Sequence, residues 1–244
     1  MKHIIKIHGR ILATALCAFV AGCGDDAPPK QADRPVRDSD ELILVITAET
    51  PPYSYYDPGK DEFVGIEIDV ARAAATKLGH RLTVRKEKFE DLLPMVKNGE
   101  ADMAASGITI TEGRLKDVDF TDTLASEGGK FLYRTGERVP TMITAESMRV
   151  GVVDSTTHDF YLTRHGIDPI RYRFCSDAVA DLLAGKLDAI FYDMSVMEDE
   201  ASKAGGTLSV TPLETRENFG IAISKKAKDL KNALNEAIAE RCGK

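Results

Sequence analysis

The sequence contains no Trp and only four Cys among its 244 residues. Several signatures of enzyme chemistry are also missing: the G-x-S-x-G elbow, the H-E-x-x-H pair, a Cys–His pair that builds a thiol nucleophile, and a cluster of metal-ligating residues. These absences point away from hydrolases and metalloenzymes. We therefore expect no catalytic residue set, no metal and no cofactor.

An excess of positive charge is absent as well. The formal net charge is -7, whereas a nucleic-acid-binding protein would carry a basic face, so we expect no nucleic-acid partner. The hydrophobic fraction of 43% and the charged fraction of 29% are ordinary for a soluble globular protein. The length is sufficient for one or two domains.

Residues 1–22 have the pattern of an export signal. A basic start is followed by an apolar run, Ile11 to Val20, that is too short for a lasting membrane span. The run ends in Val20-Ala21-Gly22-Cys23, and small residues directly before a Cys resemble the lipobox of bacterial lipoproteins. We therefore predict that Cys23 is lipidated and tethers the protein to a membrane. The alternative is an ordinary cleavage site followed by an incidental Cys.

Residues 23–40 contain three prolines and mixed charges without apolar periodicity, so we predict a disordered tether. The tether would hold a soluble body on the periplasmic or extracytoplasmic face of a membrane. Apart from Cys23 and the signal-peptide Cys17, only Cys175 and Cys242 remain, and we expect them not to form a disulfide bond.

From residue 41 onward, apolar runs alternate with helical patterns. Strands are predicted at 42–47, 81–85 and 103–105, and a helix is predicted at 90–98. Another helix is expected to begin at an Asp69 N-cap and to end at Gly79. The order β-α-β-α-β predicts parallel strands covered by helices.

A short pattern occurs twice and predicts two α/β lobes. A helix stops at Gly99 or Gly185, an Asp follows three residues later, and a buried strand begins. Coincidence is the alternative for so short a pattern. We predict lobe 1 at 41–130 and 220–244 and lobe 2 at 131–219. Lobe 2 is predicted to contain a strand at 150–153, and the return to lobe 1 is predicted to form a strand at 219–224 and a helix at 227–241.

The segment from Asp102 to Asp122 predicts a socket for a carboxylate. Ser106-Gly107-Ile108-Thr109 offers hydroxyls and free backbone groups after a short strand. Thr111 is a suitable N-cap, so Arg114 would lie in the first turn of a helix, near exposed N–H groups. The alternative is a strand–loop–helix unit with a surface Arg.

Several of these motifs together resemble the bacterial extracytoplasmic solute-binding proteins of family 3, the amino-acid-binding components of ABC transporters, in a lipoprotein form. The motifs are Pro51-Pro52-Tyr53, Val64-Gly65-Ile66-Glu67-Ile68-Asp69, Thr109-Ile110-Thr111-Glu112-x-Arg114, Phe120-Thr121-Asp122, Val150-Gly151-Val152, Ser155-Thr156-Thr157 and Gly185-x-x-Asp188-Ala189-Ile190-x-x-Asp193. The resemblance implies a type II periplasmic-binding-protein fold. Its two α/β lobes have mostly parallel sheets, and the ligand cleft lies at a two-crossing hinge.

The resemblance also implies roles for individual residues. Arg114 would hold the ligand α-carboxylate, with the Thr109 hydroxyl beside it. The 156–157 segment, through the N–H of Thr157 next to Thr156, would contact the same carboxylate from lobe 2. Asp193 and the Gly107 carbonyl would accept hydrogen bonds from the α-ammonium. A zwitterion leaving water needs both charges matched in this way.

Residues that would contact the ligand side chain are harder to predict. Phe89 would stack on the ligand or pack in the core, while Thr50 stands where relatives often have an aromatic residue. Tyr192 would line the pocket or face solvent. Thr47 stands where binders of cationic amino acids carry an acid, which argues mildly against such ligands. His158 is expected at the surface.

The implied function is extracytoplasmic binding of a small amino acid or related zwitterion by a monomer that closes its lobes and delivers the ligand to an ABC permease. One alternative is an enzyme that resembles the periplasmic cyclohexadienyl dehydratases, with Glu49, Asp154 or Glu214 as general acid. Another is a ligand-sensing or scaffold lipoprotein. Two departures from the family pattern, Thr123-Leu124 and the short C-terminus, affect the expected hinge and permease-facing surface.

Overall fold

The computed structural model describes residues 40–241. The predicted signal peptide, Cys23 and Cys242 lie outside the described residues. Cys175 is a buried free thiol. No helix in the described range is both long and apolar enough to cross a membrane.

The chain alternates short strands with helices. In chain order the strands are β1 Glu41–Ile46, β2 Glu49–Thr50, β3 Ser54–Asp57, β4 Glu62–Val64, β5 Arg81–Lys86, β6 Met103–Ala104, β7 Asp119–Phe120, β8 Ala125–Glu127, β9 Gly129–Arg134, β10 Val150–Val153, β11 Ile170–Tyr172, β12 Ala189–Asp193, β13 Leu208–Val210, β14 Glu217–Phe219 and β15 Ala222–Ile223. The helices are α1 Ile66–Lys77, α2 Phe89–Lys97, α3 Met142–Ala145, α4 Thr157–Arg164, α5 Cys175–Leu183, α6 Met194–Lys203 and α7 Lys228–Arg241, and a 3-10 helix spans Arg114–Lys116.

Lobe 1 is built on a sheet in the order β5-β1-β6-β15-β7. Strand β1 is parallel to both β5 and β6. Leu44 and Ile46 point to one face, where they share a core with residues of α1 and α7. Val45 points to the other face and packs with residues of α2. Because both faces are covered, β1 is a nearly continuous apolar run.

Lobe 2 is built on a sheet in the order β11-β10-β12-β9-β13. Strand β10 is parallel to β11 and β12, whereas β9 is antiparallel to β12 and β13. The predicted two-lobed α/β fold is thereby confirmed. Strand pairing assigns the chain from Gly129 onward to the lobe 2 sheet.

Two strands outside both large sheets form the hinge. Strands β8 and β14 pair antiparallel in a separate two-stranded sheet, with Glu127 opposite Glu217. The predicted strand at 219–224 is interrupted near Gly220: β14 pairs with β8, while β15 pairs with β6 and β7.

Two predicted helix starts are wrong. Helix α1 begins at Ile66 after Gly65, so Asp69 lies within its first turn rather than at its cap. The helix expected after Thr111 is only a single 3-10 turn, in which the Thr111 hydroxyl accepts a hydrogen bond from the Arg114 N–H at 3.2 Å. Thr111 therefore caps a turn, and Arg114 is held by that turn and its own side-chain contacts.

Candidate functional site

Loops that follow parallel strands of both lobes meet at the hinge. The segments after β1 and β6 come from lobe 1, and those after β10 and β12 come from lobe 2. The carboxyl ends of parallel strands are where open α/β sheets place their ligand sites. The residues of interest lie on these segments and on the hinge strands.

Arg114 is half-buried and anchored within lobe 1. Its Nη1 donates a hydrogen bond to the carbonyl oxygen of Thr109 at 2.7 Å. The guanidinium carbon lies 5.4 Å from the centre of the Phe89 ring, which opens α2 and is part of the core. Burial lowers the pKa of Arg114, while Glu217 and Asp193 act against that lowering. The guanidinium therefore faces two acids, and Phe89 supports it through a cation–π contact.

Thr109 and Thr157 bring the lobes together at one carboxylate. Their hydroxyl oxygens are 3.3 Å apart, although one belongs to the loop after β6 and the other begins α4. Both hydroxyls donate to Oε2 of Glu217, at 2.5 Å from Thr109 and 2.6 Å from Thr157. Thr215 donates to Oε1 of the same group at 3.3 Å. A hinge carboxylate is thus bonded to both lobes.

Asp193 and His158 are buried side by side. Asp193 ends β12 and precedes α6, but its side chain makes no capping hydrogen bond to that helix. The His158 Nε2 lies 3.7 Å from Asp193 Oδ1 and 3.5 Å from Glu217 Oε1, and it has no hydrogen-bond partner. The expectation that His158 lies at the surface is wrong, since its exposed fraction is 2%.

Burial controls the protonation of this group of residues. It raises the pKa of Asp193 well above its usual value, and the neighbouring Glu217, Glu127 and Glu67 add to the increase. It also lowers the pKa of His158, although Glu217 acts in the opposite direction. Burial alone would raise the pKa of Glu217, but His158 and the threonine hydroxyls lower it. Burial therefore favours the neutral form of His158, and the donating threonine hydroxyls favour the ionised form of Glu217.

Gly107 adopts the left-handed region, with φ of 61°. Its N–H donates to Glu67 Oε1 at 3.1 Å, and the Ser54 hydroxyl donates to Glu67 Oε2 at 2.7 Å. Burial raises the pKa of Glu67 to about 7, although these donors and the Ser106 N–H lower it. The buried, titratable carboxyl of Glu67 therefore anchors the loop that carries Gly107 and Thr109.

The remaining predicted residues are buried around this centre. Thr50 is fully buried, and its hydroxyl lies 3.4 Å from that of Thr47. Tyr192 is buried too, with its ring centre 5.4 Å from that of His158. Thr156 caps α4: its hydroxyl accepts from the Asp159 N–H and donates to the Val153 carbonyl. These contacts give Thr156 a structural role in positioning Thr157.

Two cavities flank the hinge region. One, of about 880 Å³, is lined by Thr109, Arg114, Thr157, Arg164, Arg216 and Glu217 among others. The other, of about 670 Å³, is lined by residues of both lobes, including Glu49, Tyr55, Ser176, Ser195, Glu200 and Lys203. Arg114 therefore borders a space large enough for a small ligand.

Two further acids join the lobes. Glu49 of lobe 1 accepts hydrogen bonds from the N–H and hydroxyl of Ser176 in the first turn of α5, and it pairs with Lys86 at 3.2 Å. Glu127 accepts from the Tyr53 hydroxyl at 2.5 Å and from the Ser195 N–H at 3.0 Å. Sequence reasoning missed the site positions of Glu67, His158 and Glu217, and the position of Glu127 beside the site, because isolated acids and a single His carry no spacing signal.

Comparison with known proteins agrees with the family resemblance seen in the sequence. The family described as bacterial extracellular solute-binding proteins, family 3, matches residues 42–241. The chain is 30% identical to the L-arginine-binding protein of Pseudomonas aeruginosa over 224 residues, which cover 86% of this chain and 84% of that protein. It is 27% identical to the histidine-binding periplasmic protein of Salmonella typhimurium, with coverage of 78% and 79%.

Solved structures give the same result. Holo ArgBP from T. maritima superposes with a TM-score of 0.78 at 28% identity, covering 83% of this chain and 91% of that one. An ancestral arginine-binding protein bound to glutamine superposes with a TM-score of 0.77 at 25% identity, covering 85% and 94%. The match of the family over nearly all described residues, on the fold and cleft described above, shows that this chain belongs to the bacterial extracellular solute-binding proteins of family 3.

Proposed function

We propose that this protein binds an amino acid or a related zwitterion between its lobes and delivers it to an ABC permease. One observation carries the proposal: Arg114 of lobe 1 lines one cavity with Thr157 of lobe 2, and the buried acid Asp193 lies 3.7 Å from His158, the residue after Thr157. Arg114 and Asp193 would then bind the opposite charges of one ligand. A zwitterion that pairs with both groups would favour the closed arrangement of the lobes by its differential contacts.

The carboxylate end of the ligand is assigned to Arg114. The guanidinium borders the larger cavity, and Phe89 and the Thr109 carbonyl fix its position. An oriented guanidinium can bind a carboxylate through two parallel hydrogen bonds. The first-turn N–H groups of α4, beginning at Thr157, add a second source of positive potential from lobe 2.

The ammonium end is assigned to Asp193 with the Gly107 carbonyl. Asp193 is buried without a capping role, which leaves its carboxyl oxygens available to a cation. An arriving ammonium would supply the positive charge that favours the ionised form of this acid.

A basic amino acid is the first ligand to test. The smaller cavity is lined by Glu49, Asp57, Asp199 and Glu200, and by Lys203, which pairs with Asp199 and Glu200. Thr47 supplies no negative charge, so Glu49 would take the role of the acid expected near a cationic side chain. Relatives named for arginine and histidine are consistent with this choice.

Location and partners follow from the family and the N-terminal sequence. The family is extracellular. Lipidation of Cys23, the monomeric state and the permease partner are parts of the proposal, supported by the Val20-Ala21-Gly22-Cys23 motif and by a solved relative described as the substrate-binding protein of an amino acid ABC transporter. The same relatives are named as binding proteins, and we propose that this chain catalyses no reaction.

The test is a thermal-shift panel of L-amino acids, opines, small organic acids and sugars on the purified protein. A ligand that binds only the folded state stabilises it by about 2.7 kcal/mol at one hundred times its dissociation constant. We expect a shift with L-arginine, L-histidine or another L-amino acid. A response to prephenate but to no amino acid would replace the proposal with the dehydratase hypothesis, and a panel without any response would favour a scaffold role.

A further inference from the structure

Glu217 is a carboxylate that already contacts the groups expected to receive the ligand carboxylate. Its Oε2 accepts hydrogen bonds from Thr109 of lobe 1 and Thr157 of lobe 2. It also provides the largest attractive charge interaction with the Arg114 guanidinium. The proposed function assigns the ligand carboxylate to Arg114 and to the first turn of α4 at Thr157, and the family resemblance adds the Thr109 hydroxyl.

A hydroxyl group has one hydrogen to donate. Because Thr109 and Thr157 both donate to Glu217, they present only lone pairs to any other group in the cleft. A ligand carboxylate also carries only acceptor atoms. It cannot bond to these hydroxyls until Glu217 releases them.

The charges around the socket lead to the same restriction. Glu127 is directly opposite Glu217 on the paired hinge strand, and both raise the pKa of Asp193. Glu217 and Asp193 attract the Arg114 guanidinium, and burial favours the neutral form of the nearby His158. A further carboxylate would add like charge to a poorly solvated site, which is costly unless one acid leaves.

We infer that Glu217 is an internal competitor of the ligand: it occupies the carboxylate socket, holds the lobes together before binding, and must be displaced when a ligand carboxylate enters. The free energy needed to displace Glu217 therefore lowers the affinity of the site for its ligand. This inference rests on the proposed function for the identity of the incoming group, whereas the closure by Glu217 itself does not depend on any ligand.

Glu217 has room and a partner for the displaced position. It lies on the three-residue strand β14 and lines the cavity of about 880 Å³ that opens beside the socket. Arg164 and Arg216 line the same cavity. A carboxylate that swings away from the threonines therefore moves toward guanidinium groups that can pair with it.

Glu127 provides a matched control. It is the cross-strand partner of Glu217 and also joins the lobes, through Tyr53 and the Ser195 N–H. It does not line the larger cavity and has no hydrogen bond to Thr109 or Thr157. Glu127→Gln removes a lobe-joining carboxylate but leaves the socket occupied.

The first experiment needs no amino acid. Small-angle scattering would compare the wild-type protein with Glu217→Ala, with and without sodium acetate, using sodium chloride at equal ionic strength as reference. We expect a larger radius of gyration for Glu217→Ala, and a return toward the wild-type value when acetate fills the socket. An unchanged radius in the variant, or an acetate effect matched by chloride, would overturn the inference.

The second experiment measures affinity by calorimetric titration with L-arginine and L-histidine. Removing a competitor raises the fraction of binding-competent protein, so Glu217→Ala is expected to bind about tenfold more tightly than wild type, and Glu127→Gln is expected not to. Equal or weaker binding by Glu217→Ala would contradict displacement. If no variant binds any amino acid, the proposed function fails, while the acetate experiment still decides whether Glu217 occupies the socket and closes the lobes.

Discussion

Glu127 and Glu217 are directly opposite each other on the two hinge strands, and each carboxylate is hydrogen-bonded to both lobes. Like charges in opposite positions of an antiparallel pair are destabilising. The two acids accept from different donors: Glu127 accepts from a tyrosine hydroxyl and a helix N–H, whereas Glu217 accepts from threonine hydroxyls. The hinge is therefore a polar, charged element whose geometry depends on the relative position of the lobes.

Replacing Arg114 tests the carboxylate socket. Arg114→Ala is expected to weaken binding of the amino acid found by the panel by about 2–5 kcal/mol, because a buried partner charge is left without its counterpart. Arg114→Lys should also bind weakly, since an ammonium cannot reproduce the planar two-point contact. Calorimetric titration gives both values.

Arg216→Ala is the control for that measurement. Arg216 lines the same cavity, but its side chain lacks the Thr109 hydrogen bond and the Phe89 ring contact that fix Arg114. We expect a much smaller loss of affinity than for Arg114→Ala. Equal affinities of Arg114→Ala and wild type would refute the assignment of the socket.

The predictable parts of this molecule depend on local pattern. The apolar run of β1, the glycine stops of α2 and α5, and the strand–loop segment before Arg114 all have a signal within a few residues. Glu217 does not, because its role depends on a strand register with Glu127, 90 residues earlier, and on two threonines from different lobes. The burial of His158 likewise results from packing between lobe 2 and the hinge, which no neighbouring residue reveals.

Gly128 permits the close approach of the hinge segments. A Cβ at this position would lie 1.8 Å from the carbonyl oxygen of Thr215, which is backbone and cannot rotate away. The Gly128 carbonyl also accepts a hydrogen bond from the Met194 N–H at 2.8 Å, which holds the residue from the other side. Gly128→Ala is therefore expected to destabilise the fold by about 2–4 kcal/mol.

Urea unfolding measures this loss, and Gly113→Ala is its control. The nearest atom to a Cβ at Gly113 is the Thr111 hydroxyl oxygen at 3.8 Å, an ordinary contact. A surface change of this kind stays within about 0.5 kcal/mol. Comparable stabilities of the two variants would mean that the hinge segments separate at little cost.

Glu67 predicts a pH dependence of stability. Its pKa is about 7 in the folded protein, whereas the ordinary pKa of a solvent-exposed Glu is 4.5. Because the folded pKa is the higher one, protonated Glu67 contributes stability that is complete below pH 4.5 and is lost as the pH rises through 7. The shift corresponds to roughly 3 kcal/mol.

Unfolding free energies of wild type and Glu67→Gln between pH 4.5 and 8 test this point. The difference between the two curves isolates Glu67 from the other titrating acids, and we expect the variant to lose less stability as the pH rises. Glu62→Gln, at an exposed position five residues earlier, should follow the wild-type curve. Parallel curves for wild type and Glu67→Gln would show that this carboxyl does not titrate in the range.

Replacing Asp193 should weaken ligand binding without lowering the stability of the fold. Burial and neighbouring acids disfavour its ionised form, so Asp193→Asn is expected to unfold at the same temperature or a higher one, while binding the amino acid about tenfold or more weakly because an amide cannot pair with an ammonium. Asp181→Asn is the control: Asp181 lies in α5 of lobe 2, lines neither cavity and pairs with Lys186 at 2.8 Å, so the variant should lose a little stability and keep its affinity. Thermal unfolding and calorimetric titration on both variants give the comparison. Because a merely structural Asp193 would lose stability on substitution without a specific loss of affinity, that pattern would remove it from the ligand site.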